Sequence, residues 1–471
     1  MGLIDYSREP VSDIAFVDMK SFYASIECVD RGLNPLTTSL CVLSRDDHSN
    51  GLILASSPIF KRVFGRDNVG RTHELPFDIR TRRFSYQNAK RNGLPITPDY
   101  IRYVEYWAKR SYIVPPRMEV YIEKNIEIQK IFENFASRDE IFPYSIDEGF
   151  LDLSTSLDYF VKDSAISRKV KLDLVAERIQ HAIWSQTGVY ATVGMSNANP
   201  LLAKLALDNE AKSTKTMRAN WSYQDVESKV WQIPKLTDFW GIGHRTEKRL
   251  HKLGIYSVKE LAMANPDYLK KEFGVMGTQM WFHAHGVDES NLKNPYRPKS
   301  KGIGNSQTLD RDYTDKQDLE ILLRGFTSQV ARRLRKKGKK TKRVSLTLMF
   351  SSREKRMPLL VQRTIEPTSD YKRLTAIVID LFREKYKDGA IRRVGIRFDQ
   401  LVDESVMVIG LFDNVEQLEK DERLQKAIDS IQNKYGFTSL VTADVLDPAS
   451  RVFERSRLVG GHSAGGLEGL E

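Results

Sequence analysis

The sequence predicts an α+β fold built from several domains. Three observations lead there. Apolar, strand-like runs and amphipathic helical stretches follow one another without the strict strand–helix alternation of a doubly wound sheet. The chain has 471 residues, 41% hydrophobic and 29% charged, enough for two to four domains with cores of their own. Its character also changes twice. Beyond Ile233-Pro234 it reads as all-helical, and the run from Asn294 to Gly302, rich in Pro, Lys and Gly, reads as a linker.

In chain order, residues 14–17 read as a buried strand, and residues 21–30 as a helix with Ser21 as its N-cap. Leu40-Cys41-Val42-Leu43 and Leu52-Ile53-Leu54-Ala55 are short apolar runs joined by a polar stretch, a hairpin signal. Residues 62–91 are basic with aromatics between the charges. Pro115-Pro116 precedes a helix over 118–135. An amphipathic helix follows over 172–184, then a strand over 190–194 and a helix over 200–209. Beyond the linker, Leu319, Leu322, Phe326, Val330 and Leu334 recur at helical spacing. Val344, Leu346, Leu348 and Phe350 alternate with polar positions as in a half-buried strand. A second helix (Leu374, Val378, Leu381, Phe382) and a strand (Val394 to Phe398) complete a small α+β domain of about one hundred residues. The chain after Asp403 is expected to hold one helix and a loosely ordered, Gly-rich end.

The formal charge of +11 favours a polyanionic partner, nucleic acid first. Two cysteines, Cys28 and Cys41, provide no disulfide framework and fit a reducing cytoplasm. No run reaches the ~18 apolar residues of a membrane span. Asp5 and Glu9 near the start, with no apolar stretch, argue against a signal peptide.

The most informative stretch is Tyr144-Ser145-Ile146-Asp147-Glu148-Gly149-Phe150-Leu151-Asp152-Leu153, where two adjacent carboxylates interrupt an apolar run. Burying both is costly unless a positive charge neutralises them, and a divalent metal does so most economically. Upstream, Ile14-Ala15-Phe16-Val17-Asp18-Met19 is a second apolar strand ending on an aspartate. Asp18, Asp147 and Glu148 together can hold a pair of Mg²⁺ ions for in-line phosphoryl chemistry. Neighbours in a flat strand face opposite ways, so the chain must turn for both to reach one site, and Gly149 is the residue expected to permit it.

Asp18-Met19-Lys20-Ser21-Phe22-Tyr23-Ala24-Ser25-Ile26-Glu27, paired with Tyr144-Ser145-Ile146-Asp147-Glu148, resembles the two signature motifs of Y-family translesion DNA polymerases, the UmuC-like branch above all. The resemblance runs in order along nearly the whole chain. It implies a right-hand polymerase with palm, small fingers, thumb and a C-terminal little-finger domain. It also implies that Asp18, Asp147 and Glu148 bind metal, with the Met19 carbonyl as a further ligand. Phe22 and Tyr23 would lie against the incoming nucleotide, Tyr23 as the steric gate that clashes with a 2′-OH. Lys20 departs from the family, which usually has a small or polar residue there. Ser56 and Arg62, the latter ahead of Lys61, match the fingers positions that hold the triphosphate; Arg suits this because its fork pairs bidentately with phosphate. Lys212, at the end of the segment Thr192 to Lys212, matches the lysine on the triphosphate, whereas Lys204 is expected on the primer side or at the core edge.

Thr237 to Leu250 reads as a helix-hairpin-helix in which Gly241-Ile242-Gly243 frees backbone N–H groups for a DNA phosphate. The densest basic run, Arg332, Arg333, Arg335, Lys336, Lys337, Lys339 and Lys340, is expected to track the DNA backbone. Leu411 and Phe412 occupy the position of a sliding-clamp peptide in this branch. His283 and His285 lack a nearby Cys or His partner and read as structural. The resulting domain plan is palm 1–30, fingers 31–80, palm again 81–233, thumb 234–296, little finger 303–403, and a tail 404–471 with the clamp segment.

The expected function is template-directed, error-prone synthesis past damaged bases in an SOS-type damage response. Its partners would be primer-template DNA, dNTPs, two Mg²⁺ ions, a sliding clamp, and a UmuD-like subunit or recombinase filament. Two other readings compete with this one. A DNA-binding accessory factor with a relic palm is disfavoured by the intact carboxylate set. A nucleotidyl transferase or cyclase on a palm-like scaffold would not need the helix-hairpin-helix or the basic C-terminal domain.

Overall fold

The computed structural model describes residues 4–44, 51–65, 70–294, 302–405, 415–459 and 462–463. The chain divides into two compact units, residues 1–295 and 296–462.

The first unit opens with β1 (Ile14–Met19) and α1 (Phe22–Val29). Next come β2 (Leu40–Leu43), β3 (Ile53–Ser56), α2 (Pro58–Phe64), α3 (Tyr86–Arg91), α4 (Pro98–Arg110) and β4 (Tyr112–Val114). The chain then runs through α5 (Met118–Phe132), β5 (Ile141–Pro143), β6 (Glu148–Asp152), α6 (Leu157–Phe160) and α7 (Arg168–Thr187). β7 (Ala191–Ser196), α8 (Pro200–Asn209) and β8 (Arg218–Asn220) follow. Four helices close the unit: α9 (His244–Lys252), α10 (Val258–Met263), α11 (Pro266–Phe273) and α12 (Val275–Ala284).

The main sheet has the order β5-β6-β1-β7-β8, with β1 antiparallel to both β6 and β7. β1 is therefore central and covered on both faces, which is why it is nearly uniformly apolar. One face carries Ile14, Phe16 and Phe150 and packs against Ala203 and Leu207 of α8. α8 lies so close that a Cβ on Gly194 would stand 2.1 Å from the Ala203 carbonyl oxygen and 2.5 Å from the Leu207 nitrogen. Gly194 sets the depth of α8 on the sheet.

A second, three-stranded sheet has the order β3-β2-β4, with β2–β3 antiparallel, as the two apolar runs predict, and β2–β4 parallel. Its core joins Cys41, Leu43, Ile53, Phe60, Phe64 and Phe77 to Phe84, Ala89, Val104 and Ala108. The expected boundary at residue 80 therefore falls inside a continuous core. Residues 84–114 share this core, because β4 completes the sheet and α4 packs against α2. Cys28 and Cys41 are buried free thiols.

Two local expectations are corrected. Ser21 does not cap α1 with its side chain; it sits in the left-handed region (φ 51°, ψ 48°) with no capping hydrogen bond. Nor does the chain turn at Gly149. The turn lies ahead of it, in residues 144–147, where the Tyr144 and Ser145 amides both donate to the Glu148 carbonyl. Gly149 is a regular strand residue opposite Val17, and a Cβ there would press on the Phe132 ring at 3.3 Å.

The second unit contains β9 (Ile303–Tyr313), α13 (Lys316–Lys336), β10 (Lys339–Phe350), β11 (Leu359–Thr368), α14 (Tyr371–Lys385), β12 (Ile391–Asp403), α15 (Val415–Tyr435) and α16 (Val452–Ser456). Its sheet has the order β11-β10-β12-β9. Val344, Leu346, Leu348, Val394, Ile396 and Phe398 face the apolar stripes of α13 and α14, as the alternation predicts. β9 and β11 were not anticipated, because polar and charged residues interrupt their apolar positions. After Asp403 the chain holds two helices, α15 and α16, where one was expected, and both are tied to α13; the Gly-rich end lies outside the described residues apart from residues 462–463. The Arg335 guanidinium donates to both Asp429 oxygens, at 2.6 and 2.9 Å, and Arg455 lies 3.7 Å over the Phe326 ring. Among the described residues, no helix is long and apolar enough to cross a membrane.

Gly194→Ala is expected to destabilise the first unit by about 3 kcal/mol or more, since backbone cannot yield as a side-chain tip can. Its denaturation midpoint, measured against that of Gly243→Ala, whose Cβ meets open space, checks this.

Candidate active site

The sheet register builds the site. Asp18, the penultimate residue of β1, lies directly opposite Glu148, the first residue of β6. Cross-strand partners share a face, so both carboxylates lie on the side of Phe16, Phe150 and α8. Asp147 sits in the turn just before Glu148, and its carbonyl accepts from the Met19 amide at 2.9 Å. Carboxylates from two segments distant in sequence, Asp18 and the adjacent pair Asp147-Glu148, thus meet at one end of the sheet.

α8 and the turn after it supply the counter-charge. Lys204, only 8% exposed, donates to Glu148 Oε1 at 2.8 Å and lies 4.5 Å over the Phe16 ring. Lys212, in the turn Ala211–Ser213, places its Nζ 3.3 Å from Asp18 Oδ2. Both ammonium groups also reach Asp208, at 3.2 Å from Lys204 and 2.8 Å from Lys212. Lys204 and Asp208 stand four residues apart on α8, the interval at which helical side chains become neighbours, and Lys212 follows four residues later in the turn beyond the helix. That interval was legible in the sequence and marks Lys204 and Asp208 as site residues. Lys204 thus sits at the edge of the core, over Phe16, with its ammonium group on the Glu148 carboxylate.

The cluster is under-neutralised. Burial pushes the Asp18 carboxyl up to about 6; Lys212 opposes this, and the charges of Asp147 and Glu148 add to it. Burial also raises Asp147, with the Glu148 charge adding and the Ser145 hydroxyl, donating at 2.6 Å, opposing. Lys212 is raised: burial disfavours its charge, but Asp18 and Asp208 outweigh that. Lys20 is lowered by burial, with Asp18 opposing. Among the described residues, no three His, Cys, Asp or Glu side chains stand in a ready-made cation-binding cluster. Asp18 faces Lys212, Glu148 faces Lys204, and Asp147 faces Ser145.

Beside the carboxylates, Phe22 is buried and the Tyr23 ring stacks on Tyr121 at 4.4 Å and 12°. Burial raises the Tyr23 hydroxyl, with the Asp147 charge contributing. Tyr121 is held from behind: its hydroxyl donates to Glu27 Oε1 at 2.8 Å, and Glu27, fully buried, is gripped by Arg117 at 2.8 and 3.0 Å and by Arg31. Residue spacing gave no sign of this chain of contacts, because Glu27 and Tyr121 are far apart in sequence.

Ser56 is buried at the end of β3, while Arg62 is exposed on α2. Gly241, at φ +95°, and Gly243 shape the turn before α9, and a Cβ on either would meet open space. The basic run divides in two. Arg332 donates to the Gln432 carbonyl (3.3 Å) and to Asn433 Oδ1 (2.8 Å), and Arg335 binds Asp429; both are structural contacts to α15, which corrects their expected role on DNA. Lys339 pairs with Asp403. Arg333, Lys336 and Lys337 are exposed, although Arg333 also donates to the Gly304 carbonyl at 3.1 Å. The helix-free face of the sheet carries Arg343 opposite Asp399, Arg397 opposite Ser345 and Arg393 opposite Met349, so three arginines from two strands share one face, a set that sequence runs do not display. Leu411 and Phe412 lie outside the described residues.

Comparison with known proteins agrees with this architecture. The sequence profile of the impB/mucB/samB family matches residues 88–208, that of the impB/mucB/samB family C-terminal domain matches residues 300–411, and the IMS family HHH motif matches residues 223–255. A protein of Bacillus subtilis (strain 168) named for UV-damage repair, UvrX, is 34% identical over 98% of this chain and 100% of its own. DNA polymerase IV 2 of the same organism is 29% identical over 95% of this chain and 98% of its own. Among solved structures, the Y-family DNA polymerase chimera Dbh-Dpo4(243-245)-Dbh superposes with a TM-score of 0.60 at 19% identity, covering 83% of this chain and 99% of that one. The fold is that of the right-hand polymerases with a little-finger domain, and the chain belongs to the Y family of translesion DNA polymerases.

The raised Asp18 carboxyl makes stability pH-dependent. The folded group keeps its proton to about pH 6, whereas the unfolded one releases it near 3.8. Stability from the protonated form is full below about pH 4 and is lost as pH rises through 6. Asp18→Asn, which cannot ionise, is expected to be about 1–3 kcal/mol more stable than the parent at pH 7.5 in EDTA. The gap should close toward pH 4, as urea denaturation across that range would show.

Proposed function

We propose that this DNA-directed DNA polymerase, which serves DNA repair by translesion synthesis, runs its chemistry at the Asp18, Asp147 and Glu148 end of the main sheet. The meeting of these three carboxylates, two of them raised by burial and mutual repulsion, carries the proposal. All are hard oxygen donors and their repulsion is what a divalent cation removes, so the residues fit two Mg²⁺ ions, with the Met19 carbonyl as a further ligand. When bound, such ions lower the pKa of a primer 3′-OH and offset charge on the α-phosphate and the departing pyrophosphate.

The chain's own side chains do the rest. Lys212 exchanges Asp18 for the triphosphate, and Arg62 grips the same group from α2, with Ser56 nearby in sequence. Lys204 stays on Glu148 and holds that carboxylate in place. Tyr23, braced by Tyr121, fills the space a 2′-OH would need. The Gly241 and Gly243 turn donates amides to a DNA phosphate, and Arg333, Lys336, Lys337 and Lys340 add charge in the little finger. The domain plan becomes palm 1–30 and 115–233, fingers 31–114, thumb 234–296, and a little finger that extends beyond 403 through α15 and α16. An SOS-type damage response, a sliding clamp docking on Leu411 and Phe412, and a UmuD-like subunit or recombinase filament rest on sequence resemblance alone.

Primer extension on a templated duplex with Mg²⁺ and dNTPs tests the site. Template-dependent extension by the parent, lost by a factor of about 10³ or more in the Asp147→Ala, Glu148→Ala variant, is the expected result. Extension surviving the double substitution would remove the metal role. Tyr23→Ala is expected to retain DNA synthesis but lower discrimination against ribonucleotides by at least about tenfold, and Tyr121→Ala to lower it less. The ratio of kcat/KM for dNTP and rNTP measures both.

A further inference from the structure

Residues 77–112 contain eight aromatic side chains, and eight arginines and lysines against three carboxylates, so that a net +5 of the chain's +11 lies in this stretch. Nothing in the site described above uses them. Phe77 and Phe84 are buried, and Tyr100 and Trp107 pack on the same fingers core. The other four do not turn inward: Tyr86, Tyr103, Tyr106 and Tyr112 are 61%, 44%, 51% and 45% exposed.

α4 organises this surface. Val104 and Ala108 bury one side of the helix, while Tyr103, Tyr106 and Arg110, spaced at three and four residues, share the opposite side. Lys109 and Arg102, the latter paired with Asp99, are exposed beside them. The Arg110 guanidinium lies 3.6 Å from the centre of the Tyr106 ring. The helix is firmly held: Thr97 caps its N-terminus, Glu105 accepts from the Phe84 amide at 3.1 Å, and Arg82 donates to the Ala108 and Ser111 carbonyls near its C-terminus. Solvent-facing rings on a rigid helix, interleaved with positive charge, match single-stranded nucleic acid, whose bases stack on the rings while its phosphates meet the cations. Protein-binding patches are usually depleted of lysine, and a surface this one-sided in charge favours a polyanion.

We propose that the outward face of α4, centred on Tyr103, Tyr106 and Arg110, binds the single-stranded template strand. This inference rests on the template-directed polymerase function, because such an enzyme always has unpaired template ahead of the primer terminus. α4 packs against α2, which carries Arg62, so the surface belongs to the body proposed to grip the incoming nucleotide. Stacking tolerates any base, and also an altered one, which suits a strand carrying damage.

Fluorescence anisotropy with labelled primer-template duplexes, bearing 5′ template overhangs of 2 or 12 nucleotides, tests it on the full chain. The parent is expected to bind the longer overhang about tenfold more tightly, and the Tyr103→Ala, Tyr106→Ala, Arg110→Ala variant to lose most of that difference. All three side chains are exposed, so the thermal midpoint and extension on the short overhang should be unchanged. The Tyr103→Phe, Tyr106→Phe variant keeps both rings and should keep the preference. Equal affinity of the parent for both overhangs, or an undiminished preference in the triple variant, would overturn the proposal. Extension by the parent on the short overhang reports separately on the polymerase, so failure of that function is distinguishable from failure of this surface.

Discussion

Asp18 stands opposite Glu148 because β1 is paired along its length on both sides, with β6 and with β7. Like charges directly opposite across an antiparallel pair repel, and burial sharpens the repulsion. The protein accepts that cost at one end of the sheet and surrounds it with compensation. Lys204 and Lys212 reach the two carboxylates from α8 and the turn beyond it, and Asp208 ties the two lysines together. α8 can come close enough only because Gly194 offers no Cβ where the helix backbone passes. A glycine in one strand, the pitch of one helix and the register of three strands therefore act as a single constraint on the chemistry.

The fingers segment shows how a core overrides a boundary drawn from composition. Residues 62–91 look like a basic surface stretch, within which the palm is expected to resume at residue 81. Yet Phe77, Phe84, Ala89, Val104 and Ala108 share one interior, and β4 pairs in parallel with β2. The segment is a small body with its own sheet: Phe60, Phe64, Phe77 and Phe84 fill its interior, Tyr100 and Trp107 pack on it from the edge, and among the described residues its arginines and lysines are not buried.

A division between interior and solvent governs the basic run at the end of α13. Arg332 and Arg335 fall on the side of the helix that meets α15 and become internal partners, whereas Lys336 and Lys337 stay in solvent. Guanidinium groups suit this duty because one planar fork can satisfy a carboxylate and a carbonyl together, as Arg335 does with Asp429 and the Ser369 carbonyl.

The sequence by itself determined a good deal. Its two apolar strands ending in carboxylates, the helical periods of α8, α13 and α14, the alternation of β10, and the paired motifs at Asp18 and Asp147 were all legible, because local period and local chemistry write them directly. The spacing of Lys204, Asp208 and Lys212 was equally local. What only the tertiary structure decided depends on distance along the chain. The stack of Tyr23 on Tyr121, braced by Glu27 and Arg117, joins residues some ninety positions apart. The turn that sets Asp147 beside Glu148 precedes Gly149, because strand pairing with Val17 fixes that glycine as extended. Strands β9 and β11, whose apolar positions are interrupted, exist because β10 and β12 offer them edges to complete. A chain's periodicity states which face of an element is apolar; which other element covers that face is settled only when the whole core closes.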